Sequence, residues 1–203
     1  MKTCLPSRGL RGFTLIELLV VIVIIAVLAA AGLTVGTGIQ NRARKLSAQN
    51  TATALNQAIN MFYSQYGTFP TNSSSTPAFI TTSGEAGVEL LHALLGNDPI
   101  LNPSGLVFLE VKRGIERPNG GMDGLVYENE QDGVARGLYD PWGNPYTLVM
   151  DTGFQGRVQF AVDDNGRIVS GAAITLNGRR AAVLSPGVAE GETSNESDWA
   201  KSW

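Results

Sequence analysis

RGFTLIELLVVIVIIAVLAAAG, residues 11–32, decides how the rest of this chain is read. From Leu18 to Gly38 no side chain is charged, and most are Leu, Val, Ile or Ala. About 20 such residues in a helix reach across a bilayer core, so residues 13–40 are expected to form an apolar, membrane-spanning helix. Lys2, Arg8 and Arg11 precede it. A basic leader stays cytoplasmic, which places the larger C-terminal part outside. Glu17 does not fit a simple span: an isolated ionised carboxylate at membrane depth costs roughly 2.5 kcal/mol or more and normally has a partner.

Three readings compete for this stretch. A secretory signal peptide explains the basic start, the apolar centre and the small residues Ala29, Ala30 and Ala31. A plain single-span anchor explains the length. Neither explains Glu17. Cleavage between Gly12 and Phe13 does, because it creates an α-amino group four residues before the carboxylate. Cation and carboxylate then share one apolar layer, within a subunit or between subunits. Desolvation makes a mismatched register costly, so such a pair acts more as an assembly gauge than as glue.

The hexapeptide Gly12-Phe13-Thr14-Leu15-Ile16-Glu17, followed by a long apolar helix, resembles the N-terminus of type IV prepilins and type II secretion pseudopilins. The resemblance implies cleavage after Gly12 by a membrane-embedded prepilin peptidase, N-methylation of Phe13 and a role for Glu17 in filament assembly. It also implies an α+β pilin fold, with a long N-terminal α-helix packed on a small antiparallel β-sheet head. On that basis residues 1–12 are the leader, 13–40 the transmembrane and filament-core helix, 41–67 the stalk helix and 68–203 the globular head.

Composition agrees with a globular head on a greasy anchor. The 203 residues are 43% hydrophobic and 16% charged. Beyond the leader, 12 basic residues face 18 acidic ones, a net charge of −6. That balance argues against nucleic acid, which needs clustered cations. The single cysteine, Cys4, lies in the leader, so the mature chain has no thiol and forms no disulfide. The head must be held by its core, by assembly or by a metal ion.

Gly32, Gly36 and Gly38 weaken the helix locally, each by roughly 1 kcal/mol relative to Ala. Beyond them, Ala48, Ala52, Leu55, Ile59, Phe62 and Tyr66 recur at spacings of 4, 3, 4, 3 and 4, one face of a helix. That helix is expected to stop near Gly67, with Pro70 beyond. Residues 68–83 read as a loop and Glu85–Leu95 as a short amphipathic helix carrying His92, the only histidine. Residues 106–111 read as a strand or an extended loop packed on the sheet, and the glycine-rich 117–137 as irregular.

Asp140-Pro141-Trp142-Gly143-Asn144-Pro145-Tyr146 carries turn residues in sequence and leads into a strand over 146–150. Trp142 and Tyr146 are expected to plug the gap between sheet and stalk helix. The segment resembles that of the major, G-type pseudopilin of type II secretion. Two further hairpins are expected, 157–162 with 168–171 and 172–176 with 179–184, the second turning at Asn177-Gly178. Asp163-Asp164-Asn165-Gly166 reads as a polar turn, since a calcium loop of this kind needs an acid at Ala161.

The tail is acidic: Glu190, Glu192, Asn195, Glu196 and Asp198, ending on Trp199 and Trp203. It reads either as a solvated loop held by its tryptophans or as a gathering of oxygen donors for a hard cation. The G-type resemblance implies Ca2+ here, with Glu192, Asn195 and Asp198 as the ligands.

No enzyme signature is present: there is no phosphate-binding GxxxxGK[ST], and His92 has no orienting neighbour in sequence. Two function classes stay open. One is a structural subunit that polymerises into a pseudopilus or type IV pilus-like filament. The resemblance gives it further copies of itself, the prepilin peptidase, an inner-membrane assembly platform and minor pseudopilins as partners, with the head in the periplasm. The other is a periplasmic binding module whose N-terminus serves as anchor or export signal.

Overall fold

The computed structural model describes residues 13–33, 36–72, 75–118, 120–128, 133–189 and 192–203. It divides into two compact units, Met1–Asn41 and Arg42–Trp203. In the first, helix α1 spans Leu15–Leu33. Every side chain from Leu15 to Ala29 is exposed. Because the helix is apolar all round, no one face selects a protein core. Among the described residues no helix is long and apolar enough to cross a membrane. The described side chains of α1, Leu15 to Ala29, rise roughly 22 Å against a bilayer core of about 30 Å. Helix α2 spans Gly36–Tyr66 and opens on one of the glycines expected to weaken the helix.

From Arg42 onward α2 belongs to the second unit. Its predicted stripe is the core: Ala48, Ala52, Leu55, Ile59 and Phe62 are fully buried, and Ala58 joins them. Tyr66 is half-buried, and its hydroxyl donates to Asn102 Oδ1 at 2.6 Å. The helix stops at Tyr66, and the Gly67 N–H donates to the Tyr63 carbonyl at 2.8 Å. Strand β1 (Ala78–Thr81) and helix α3 (Glu85–Leu94) follow. Residues 106–111 form no strand and make no sheet pairing. Leu109 is buried there, and Phe108 packs edge-on against Phe62 at 5.3 Å.

The remaining strands are β2 (Ile115–Arg117), β3 (Gly120–Met122), β4 (Gly124–Tyr127), β5 (Ala135–Tyr139), β6 (Thr147–Met150), β7 (Arg157–Val162), β8 (Ile168–Asn177), β9 (Ala181–Ser185) and β10 (Ala200–Lys201). The main sheet is antiparallel in the order β1-β6-β9-β10. Alternation divides its side chains between two cores. Ala78, Ile80, Leu148, Met150, Ala181 and Val183 join the α2–α3 side. Val149, Ala182 and Leu184 meet Val158, Phe160 and Ile168 of the β7–β8 hairpin. The head is therefore three layers: helices, sheet, hairpin.

Three sequence expectations fail here. Residues 68–83, expected to be a loop, contain strand β1, which pairs with β6. Residues 117–137, expected to be irregular, contain β3, β4 and most of β5. Their glycines are there for close approach: a Cβ on Gly121 would lie 2.4 Å from Val126 Cγ2 and 2.5 Å from the Tyr139 ring. The Asn177-Gly178 hairpin also fails. Strand β8 runs unbroken to Asn177 and pairs with β7, with a register shift at Phe160/Ala161. Strand β9 pairs instead with β6. Central β9 is buried on both faces, so its sequence shows no alternation from which to choose a partner.

Ile59→Ala should cost about 2–5 kcal/mol of head stability in urea unfolding followed by tryptophan fluorescence. A loss under about 1 kcal/mol would mean that this helix face does not hold the head.

Candidate functional site

Gly12, on one side of the expected cleavage, lies outside the described residues. Phe13 is 80% exposed. Thr14 and Glu17 form a reciprocal cap on α1. The Thr14 backbone N–H and hydroxyl each donate to Glu17 Oε2 at 2.8 Å, while the Glu17 N–H donates to Thr14 Oγ1 at 3.3 Å. Thr14 is the cap residue and Glu17 the third helical residue, the spacing of a capping box. The carboxylate also faces the positive end of the helix dipole. Such a cap satisfies N–H groups that the first turn of a helix leaves unpaired. Sequence reasoning found Glu17 but missed Thr14, although a Thr three residues before a Glu at the head of an apolar run is the signal.

The 140–146 segment is a buried polar knot. Asp140 is fully buried. Its Oδ1 accepts the N–H groups of Trp142 (2.9 Å) and Asn144 (2.8 Å). Its Oδ2 accepts the Ser185 hydroxyl (2.7 Å) and the Asn144 amide (3.2 Å). Gly143, at φ +101°, makes the reversal that side-chain-bearing residues resist. The Asn144 amide donates to the Val188 carbonyl at 2.6 Å, tying the turn to the tail. Tyr146 is buried as expected, and its hydroxyl donates to the Ala48 carbonyl of α2 at 3.3 Å. Trp142 is half-buried and joins neither core, so Tyr146 alone fills the predicted gap.

In the tail, Asn195 N–H donates to Asp198 Oδ2 at 3.0 Å, and Asp198 N–H returns to the Asn195 carbonyl at 2.8 Å. The Lys45 ammonium holds the Ser197 carbonyl, and Lys201 pairs with Glu196 at 2.9 Å. Glu192 is exposed. Oxygen donors suit a hard cation, but among the described residues no three His, Cys, Asp or Glu side chains gather to hold a metal. Asp163 Oδ1 accepts the N–H groups of Asn165 (3.0 Å) and Arg167 (2.8 Å), making the polar turn. His92 Nε2 accepts the Ala135 N–H at 3.1 Å, linking α3 to β5.

Burial pushes the Asp140 carboxyl above its ordinary 3.8, while the donors from Ser185, Asn144 and Trp142 pull it back part of the way. The folded chain then binds this proton more readily than the unfolded chain. The group's contribution to stability therefore falls as pH rises from 3.8 through the raised folded value. Asp140→Asn aims an amide at groups that themselves donate. It should cost about 1–3 kcal/mol at pH 7 in urea unfolding. The wild-type margin over the variant should narrow as pH rises through that window; a widening margin contradicts the assignment.

No curated protein and no solved structure matches the chain. Residues 8–33, which enclose the Thr14–Glu17 cap, match the family described as the prokaryotic N-terminal methylation motif. At its N-terminus the chain thus carries the methylation motif of type IV pilin-like proteins.

Proposed function

We propose that the chain is a structural subunit of a type II secretion pseudopilus or a related type IV pilus-like filament. The observation that carries this reading is the methylation motif joined to an apolar helix exposed on every face. Prepilin peptidase cuts between Gly12 and Phe13, and Phe13 is N-methylated. The subunit waits in the bacterial inner membrane with its head in the periplasm. An assembly platform, with minor pseudopilins, then passes it into a homopolymer. The 140–146 turn favours the G-type branch by resemblance.

Glu17 has a defined place in that sequence. The cap satisfies its carboxylate in the isolated subunit, and a carboxylate accepts about four hydrogen bonds, so Thr14 does not exhaust it. The α-amino group of a neighbouring copy completes its partners and sets the stagger. Calcium in the tail is the accompanying proposal: Glu192, Asn195 and Asp198 offer oxygen donors of the kind a hard cation takes.

Mass analysis of the mature N-terminus should show methylated Phe13; a start near Ala31 or Gly32 would indicate signal-peptide cleavage and a binding module. Glu17→Gln keeps a residue that serves a capping box but removes the charge. It should be processed normally and yield no filaments, and wild-type filament levels would overturn the assembly role. Millimolar calcium should raise the melting temperature of the wild type and not of Asp198→Ala. An identical response in both removes calcium from Asp198.

A further inference from the structure

We propose that a polar cavity in the head binds an oxyanion, a carboxylate, sulfate or phosphate group, through Arg136 and Arg167. The cavity measures about 420 Å3, within the range of small-ligand pockets. It lies between β5, the 140–146 turn and the β7–β8 turn, with Thr81, Ser83, Tyr139 and Gly143 among its other lining residues. Filament formation neither requires nor implies it.

The wall is rich in donors. Arg136 gives one N–H, on Nη1, to Glu116 at 3.2 Å, leaving four more in a planar fork. Among the described residues Arg167 forms no ion pair, and it projects from a turn fixed by its own N–H to Asp163 Oδ1. Two arginines lining one cavity suit the paired oxygens of a carboxylate, sulfate or phosphate. Tyr139 is buried, and a hydrogen bond links its side chain to Ser83. Burial pushes its phenol up, although Arg136 pulls the other way, so the O–H keeps its proton. Glu116 is the acid bound to Arg136, so it is the internal competitor for the ligand.

The test is calorimetric titration of the unassembled full-length chain, in non-ionic detergent, with sodium sulfate, phosphate or acetate at constant ionic strength. Chloride is the reference. At least one oxyanion should give a saturable isotherm; acetate alone would identify a planar ligand, sulfate or phosphate a tetrahedral one. Arg167→Gln should weaken binding about tenfold or more, as loss of a charge-assisted pair requires. Glu116→Gln frees Arg136 and should tighten binding, which a merely structural Arg136–Glu116 bridge would not do. Both positions are exposed, so thermal melting of the variants should match the wild type. A response no greater than chloride's, or variants that bind as the wild type does, overturns the proposal. Neither result touches the filament reading, because the protein is unassembled.

Discussion

Every side chain of α1 from Leu15 to Ala29 faces outward, and only Glu17 among them carries a charge. Burying each Leu, Ile or Val is worth about 1.5–3 kcal/mol. Against that sum, the roughly 2.5 kcal/mol or more for one carboxylate at depth is small. The apolar surface therefore dictates that α1 leave water, into lipid or against further apolar helices. In the proposed assembly, Glu17 sets the register at which it does so. The proposed storage and assembly states are two ways of meeting this one requirement.

The second unit solves a different problem with different means. It has no cysteine to cross-link it, and its stability rests on two apolar cores separated by one sheet. The Asp140 carboxylate ties its own turn to the sheet. It gathers donors from its own turn and from Ser185 at the end of β9, while Tyr146 reaches α2. Each oxygen of the buried acid is satisfied, and that condition turns a costly burial into a specific one.

The parts of the molecule legible in the sequence were those with a strong local period. The stripe from Ala48 to Phe62 emerged as the buried face of α2, and helix α3 differed by one residue at its end. Strands β3 to β5 were missed because glycines such as Gly121 signal irregular backbone, whereas here they admit the Tyr139 ring. The hairpin at Asn177-Gly178 was misjudged because turn chemistry is local and the pairing of β9 with β6 is not. At the N-terminus the charge anomaly of Glu17 was readable, but its partner Thr14 was hidden by attention to the new α-amino group.

The most direct measurement is the position of Glu17 in an assembled fibre at side-chain resolution. The account predicts its carboxylate within about 4 Å of the Phe13 α-amino group of an adjacent copy, with the apolar faces of α1 packed against other α1 helices. A fibre in which Glu17 is held by its own Thr14 alone, with every neighbouring amino group beyond reach, would contradict it.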